Sequence, residues 1–255
     1  MWAQLVRRRG QRRALSSAAF PPLFELSRDL VKPEHLFEHC HSMVQQNDKE
    51  VFANRTSFRV HIGQTSSVYH LERFADYDAR CAALRLRDEA AYEDDMARSE
   101  DEAMEAIVQG EFLVRTENSI FVEATAALRA AGVDGLASAA AALAEVDSDT
   151  VYELRTYQLV LGYAAVPNFL ALYSEGLADK LATDDSGASQ LVTLLHSEAG
   201  ASPLNTVIEL WRHTSMQGSQ RSRAASRGAT KWRAAISKIA DMATRFDTQL
   251  IGAIY

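Results

Sequence analysis

The sequence predicts an α+β protein made of two tandem ferredoxin-like βαββαβ repeats. Three observations carry this expectation. Phe24-Glu25-Leu26-Ser27-Arg28 is echoed 128 positions later by Tyr152-Glu153-Leu154-Arg155. Val68-Tyr69-His70-Leu71-Glu72-Arg73 is echoed 139 positions later by Val207-Ile208-Glu209-Leu210-Trp211-Arg212. Between these markers, strand-like and helix-like patterns alternate in one order in both halves, which is the split-βαβ order. The second offset exceeds the first by eleven residues. The turn-rich stretches Asp184-Asp185-Ser186-Gly187 and Ala201-Ser202-Pro203 can hold them.

The elements follow in chain order. The first half opens with a strand near 23–31. A helix near 33–47 carries Leu36, Cys40, Met43 and Val44 at helical spacing, with Pro33 at its tolerated first position. Strands near 57–63 and 66–74 form a hairpin, a long helix spans 76–107, and a last strand runs near 117–124. The second half repeats the order: strand 151–160, helix 164–181, strands 190–197 and 205–213, helix 215–244 and strand 246–254. Val192-Thr193-Leu194-Leu195 shows the β-branched and aliphatic enrichment of a strand. Residues 126–149 are an Ala-rich linker, where Ala139 to Leu143 favour helix and Gly132 and Gly135 interrupt it. A ferredoxin-like sheet carries helices on one face only, so its other face must be buried. Two such sheets face to face close an α/β barrel with helices outside.

Arg7, Arg8, Arg9, Arg12 and Arg13 precede the first acid, Glu25, and Ser16-Ser17 follow Arg13-Ala14-Leu15. An arginine-rich, acid-poor amphipathic start is the pattern of an organelle transit peptide, here residues 1–20, with a plastid peptide or a plain basic tail as the alternatives to a mitochondrial one. Of the 27 basic residues, removal of these five leaves 22 against 34 acids, a net charge near −12. An acidic body of this kind argues against nucleic-acid binding. No apolar run approaches the roughly 20 residues of a transmembrane span. Cys40 and Cys81 are too few for a disulfide framework or a cysteine zinc site.

The C-terminal half carries a set of motifs in a recognisable order. They are Tyr152-Glu153-Leu154-Arg155-Thr156-Tyr157, Ser197-Glu198-Ala199-Gly200, Leu204-Asn205-Thr206-Val207-Ile208-Glu209-Leu210-Trp211, and the Arg- and Ala-rich stretch from Arg221 to Trp232. Together they resemble the C-terminal domain of the NIPSNAP family, over about the last 105 residues. Ala199 stands where that family has Ile in Glu-Ile-Gly, and Ala201-Ser202 look inserted. The resemblance implies a dimeric-type α/β barrel formed by the two repeats: 21–125 as the N-terminal repeat and 150–255 as the NIPSNAP domain. It implies a mitochondrial, matrix-located protein without agreed catalysis or cofactor, acting through protein partners in vesicular transport or mitophagy, such as autophagy or trafficking factors or a second copy of itself. The wider barrel superfamily includes cofactor-independent monooxygenases, which makes a small-molecule enzyme the alternative.

Period-2 alternation sorts the hairpin strands into two faces. Ile208, Leu210, Tyr69 and Leu71 are assigned to the helix side. Glu209, Trp211, His70 and Glu72 are then expected to face the space between the sheets, with Glu209 paired to Arg155 or a histidine. Buried charges are usually paired. His196, Glu198 and Asn205 are the candidate polar rim of the same pocket, or turn residues that hydrogen-bond the backbone. His35-Leu36-Phe37-Glu38-His39 fits an H-x-x-E-H zinc pattern. Nothing downstream declares a third ligand, so these histidines are expected on the surface of an amphipathic helix and no metal is assigned. Residues 76–105 hold eleven acids and residues 215–245 seven bases, an opposition that suits a polar partner surface or self-contact.

Overall fold

The computed structural model describes residues 21–47, 55–97, 113–136, 147 and 149–254. The arginine-rich start and Ala139 to Leu143 of the linker lie outside the described residues. Strands are β1 (Leu23–Val31), β2 (Arg55–Ile62), β3 (Ser67–Phe74), β4 (Leu113–Glu123), β5 (Val151–Leu159), β6 (Ser189–Gly200), β7 (Thr206–His213) and β8 (Ala243–Ala253). A 3-10 turn, Pro33–His35, leads into α1 (Leu36–Asn47). The other helices are α2 (Tyr77–Ala97), α3 (Thr125–Ala130), α4 (Ala165–Thr183), α5 (Met216–Ser226) and α6 (Thr230–Met242).

The strands close a barrel in the order β1-β3-β2-β8-β5-β7-β6-β4, antiparallel at every junction. Closure removes the unpaired edges through which sheets aggregate. Each half of the chain supplies four contiguous strands, β4-β1-β3-β2 and β8-β5-β7-β6, and the seams are β2 with β8 and β4 with β6. The two halves share a register. Ser27 faces His70 across β1 and β3, and Arg155 faces Glu209 across β5 and β7. The offsets of 128 and 139 carry the first pair onto the second.

The barrel interior is apolar. Phe24, Phe58, Tyr69, Leu71, Phe121, Tyr152, Leu154, Leu195, Ile208, Leu210 and Ile251 form one core, with Leu136 from beyond α3 packed into it. Phe58 and Tyr152 meet edge to face at 5.2 Å across the β2–β8–β5 side. A second core lies outside the sheet, where Val207 and Trp211 pack against Phe169, Tyr173 and Leu177 of α4 and Trp232 and Ile239 of α6. The expected faces are therefore reversed. The strictly apolar alternate positions turn inward, and Glu209 and Trp211 turn toward the helices. The reason is access to partners: the closed interior offers other strand side chains, whereas the helix layer also supplies cations that can meet buried carboxylates.

The helix expected over 215–244 is two helices. Ser215 caps α5 by accepting from Gly218 N. The chain then breaks at Arg227-Gly228-Ala229. Ala229 has no side chain able to cap α6. Asp179 of α4 takes that role, its Oδ2 accepting from Lys231 N at 2.8 Å and Trp232 N at 3.3 Å. The α4–α6 contact is close because position 176 is glycine. A Cβ there would lie 2.9 Å from Ala235 Cβ and 3.0 Å from Trp232 Cα. No helix among the described residues is long and apolar enough to cross a membrane.

Candidate functional site

One end of the barrel is not filled. A cavity of about 590 Å³ opens there between the strands. Leu26, Leu154 and Ile208 line its apolar part, and Tyr69, Thr156, Ser119, Gln249, Gln64, Arg28, Glu117, Arg245 and Asp247 supply its polar wall. β1, β3, β5 and β7 place their inward residues here by simple alternation: Leu26 and Arg28, Tyr69, Leu154 and Thr156, Ile208. Gln249 Nε2 donates to the Tyr69 hydroxyl oxygen at 2.8 Å. Burial pushes the Tyr69 phenol up, against the nearby Arg28 charge, so it holds its proton at neutral pH and can donate it into the cavity. Gln249 Oε1 is buried without a hydrogen-bond partner among the described residues. Arg28 stands over the Tyr69 ring at 5.8 Å and reaches Gln64 and, at 3.7 Å, Glu117. The wall thus presents the Tyr69 hydroxyl and a mixed-charge rim, with the Gln249 amide oxygen buried behind them.

None of the eight residues expected in a pocket lines this cavity. Arg155, Glu209 and Trp211 do come together, but beneath the helices. Glu209 is fully buried, and its Oε2 accepts from Trp211 Nε1 at 2.5 Å and lies 3.5 Å from Arg155 Nη1. Glu153 is the second anion of this layer, held by Arg155, His213, Arg223 and Thr248 at 2.6–3.2 Å. Burial raises its carboxyl, but those hydrogen bonds and the Arg155 charge outweigh burial and hold it well below the usual range. Burial, together with the Glu209 charge, pushes the phenols of Tyr157 and Tyr173 well up. Lys180 lies 3.8 Å above the Trp211 ring, and burial with the Arg155 charge brings its ammonium down to about 8. Apart from the half-exposed Arg223 of α5, this layer is buried, so its work is to hold the helices on the sheet.

The first half has its own polar layer. Glu72 pairs with Arg87 of α2, and Glu25 with Arg80. His70 is buried and lies 3.0 Å from Asp29 Oδ2, with His39 of α1 at 3.2 Å from the same oxygen. Asp29, His39 and His70 are a group among the described residues whose donor atoms converge closely enough to hold a metal ion. His35, the other histidine of the H-x-x-E-H pattern, is not part of it. The remaining three candidates lie outside the barrel. His196 and Glu198 border an outer groove with Leu23, Tyr77 and Val122. Asn205 occupies the β6–β7 turn with φ 64, its Nδ2 donating to Val160 O at 3.1 Å, which is turn work.

The residues missed from sequence are Tyr69, Gln249, Arg28 and Glu117. Tyr69 and Arg28 belong to the repeated motifs, but Tyr69 was assigned to the helix side. Gln249 and Glu117 lie on strands recognised only as strands, and no motif marks them.

Comparisons agree with this architecture. The NIPSNAP family model matches residues 152–251. No curated protein matches the chain. An anthrone oxidase-like protein superposes with TM-score 0.58 at 12% identity, over 92% of this chain and 92% of its own. A candidate monooxygenase from Lactobacillus acidophilus NCFM superposes with TM-score 0.55 at 8% identity, over 92% and 95%. A NIPSNAP family protein from Agrobacterium tumefaciens str. C58 aligns at 22% identity with 44% of this chain and 95% of its own, TM-score 0.35. The first two share the fold over most of the chain, a mixed α/β fold with an eight-strand antiparallel barrel. Within that barrel, residues 152–251 are a NIPSNAP-family domain.

Proposed function

We propose that this protein binds a small molecule in the mouth of its barrel. The observation that carries the reading is the Tyr69–Gln249 pair in the 590 Å³ cavity: a neutral phenol O–H and an unmet buried amide oxygen above an apolar floor. Most ligand sites are concave and apolar with a few placed polar groups. The fitting ligand has an apolar body against Leu26, Leu154 and Ile208. Its polar end accepts from the Tyr69 hydroxyl, whose oxygen Gln249 Nε2 holds in place. Turnover of the monooxygenase kind, a name that two structural neighbours carry, extends this reading, in a form that needs no cofactor. Native mass spectrometry of the purified chain should find a copurifying molecule of this description, or a small-molecule library should raise the melting temperature. The double variant Tyr69→Phe, Gln249→Leu should lose the ligand and keep the fold. Failure of every ligand to bind the parent chain, or undiminished binding by the variant, overturns the reading.

A preserved strand order and register support a further statement: the barrel consists of two tandem ferredoxin-like repeats, 21–125 and 150–255, joined by the linker 126–149.

A second reading is protein binding in mitochondria, in vesicular transport or mitophagy. Val160, Leu161, Tyr163, Leu204 and Phe246 are exposed large apolar residues on neighbouring loops and β8. Exposed apolar groups of this kind favour a protein partner. The arginine-rich start supports mitochondrial import. A reporter carrying residues 1–25 should enter mitochondria, and a Leu161→Ser, Tyr163→Ser variant should lose partners captured there by the parent protein. A cytosolic reporter, or an unchanged partner set, counts against it.

A further inference from the structure

We propose that Asp29, His39 and His70 form a three-ligand site for a divalent first-row transition ion, with zinc the best fit. The site lies between the first-half sheet and α1, outside the barrel cavity, so it stands independently of the ligand reading above. Its donors come from three elements. Asp29 is on β1, His70 on the paired strand β3, and His39 on α1.

The distances suit an ion. Nε2 of His70 and Nε2 of His39 lie 3.0 and 3.2 Å from Asp29 Oδ2. Zinc holds nitrogen and oxygen ligands at about 2.0–2.1 Å, and a tetrahedron of that size has ligand–ligand edges of about 3.3 Å. Two of the three donor–donor distances therefore already stand close to the edge length of a coordination shell, and all three donors lie within 4.8 Å of one another. Two imidazoles with one carboxylate are also a donor set that first-row divalent ions accept.

The outer contacts are those of a ligand set. Ser57 Oγ is 2.8 Å from His70 Nδ1, and Thr116 Oγ1 donates to Asp29 Oδ1 at 2.8 Å. Ser57 as acceptor from Nδ1–H would turn the His70 Nε2 lone pair toward the ion, and Thr116 leaves Oδ2 available. Partners of this kind orient metal ligands and tune them. His70 is nearly closed to solvent, whereas Asp29 and His39 each keep an exposed edge. An ion enters over that edge, where water completes its coordination. Arg55 shares this face, but Glu25 and Glu72 lie close enough to offset its charge together with Asp29.

Two other uses of the group fit less well. Ser57, His70 and Asp29 have the composition of a nucleophilic triad, but Ser57 is wholly buried and no substrate can reach it. Nor is the group a property of the C-terminal domain. The repeat offsets place Tyr157 and Glu209 where the first half has Asp29 and His70, so the site belongs to the N-terminal half alone.

The alternative is a hydrogen-bonded trio with no ion. Calorimetric titration of the chelator-treated full chain with Zn²⁺ separates the two. The expected result is one tight equivalent per chain, and Co²⁺ in its place should give the strong visible bands of a four-coordinate site. His39→Ala, on the partly exposed helix, should weaken Zn²⁺ binding at least about 100-fold, and Thr116→Val about 10-fold. His61→Ala, away from the site, should leave affinity unchanged. Circular dichroism confirms that each variant is folded. Absence of a tight equivalent in the parent chain overturns the proposal. So does a folded His39→Ala variant that binds Zn²⁺ as tightly as the parent.

Discussion

Lys180 is the residue whose environment is most at odds with its charge. It is buried between Trp211 and Trp232, with its ammonium 3.8 Å from the Trp211 ring centre. Burial comes first in lowering its pKa and the Arg155 charge second, while Glu209 and Glu153 pull the other way, and the balance is about 8 against an ordinary 10.5. Between these values the unfolded chain binds the proton that the folded chain has released. Stability contributed by this group therefore rises with pH from about 8 to about 10.5, by up to about 3 kcal/mol. Tyr157 and Tyr173 act in the opposite sense, because their raised values favour the folded state less as pH passes their own range. Lys180→Met isolates the lysine. Denaturant melts at pH 7 and pH 10 should show the parent gaining on the variant as pH rises. A stability difference that is flat across that window refutes the assigned environment.

At the scale of elements, α4 and α6 hold the C-terminal half together, and each depends on one small detail of the other. Gly176 lets the axes approach, and Asp179 supplies the cap that Ala229 cannot. A missing N-cap costs about 1 kcal/mol, and the cap from Asp179 offsets that cost where α6 restarts after a gap of three residues, 227–229. The break was not legible in sequence. Gly228 alone is tolerated in many helices, and the residue that stabilises the restart lies 52 positions away in α4. Strand positions were far easier to read. Alternation in Val207 to Arg212 and in Val68 to Arg73 marks a strand wherever it sits, because pleating alone produces it.

For the whole molecule, barrel closure is the decisive event. Among the described residues, the inner faces of the two half-sheets meet each other through Phe24, Phe58, Phe121, Tyr152, Leu195 and Ile251, with Leu136 added from beyond α3. Neither half can bury that face alone. Residues 150–254 expressed by themselves should therefore pair with a second copy, which can substitute for the missing half-sheet. Light scattering coupled to size exclusion should report a dimer. A stable monomer with native-like melting would show that the inner face is not what joins the halves.

The positions and order of the eight strands and the C-terminal family motifs were all present in the chain of residues. Each depends on local backbone geometry or on ordered motifs, and neither needs a partner to be recognised. The direction of each strand face was decided only by the tertiary structure. Alternation separates Ile208 and Leu210 from Glu209 and Trp211, but both faces of a covered barrel are buried, so hydrophobicity alone does not say which one closes inward. The choice fell to the partners offered on each side: aromatic rings across the barrel, and Arg155, Lys180, Arg223 and the tyrosines beneath the helices. Convergence of Asp29, His39 and His70 was hidden for the same reason. Three elements bring them together, and no spacing along the chain records that distance.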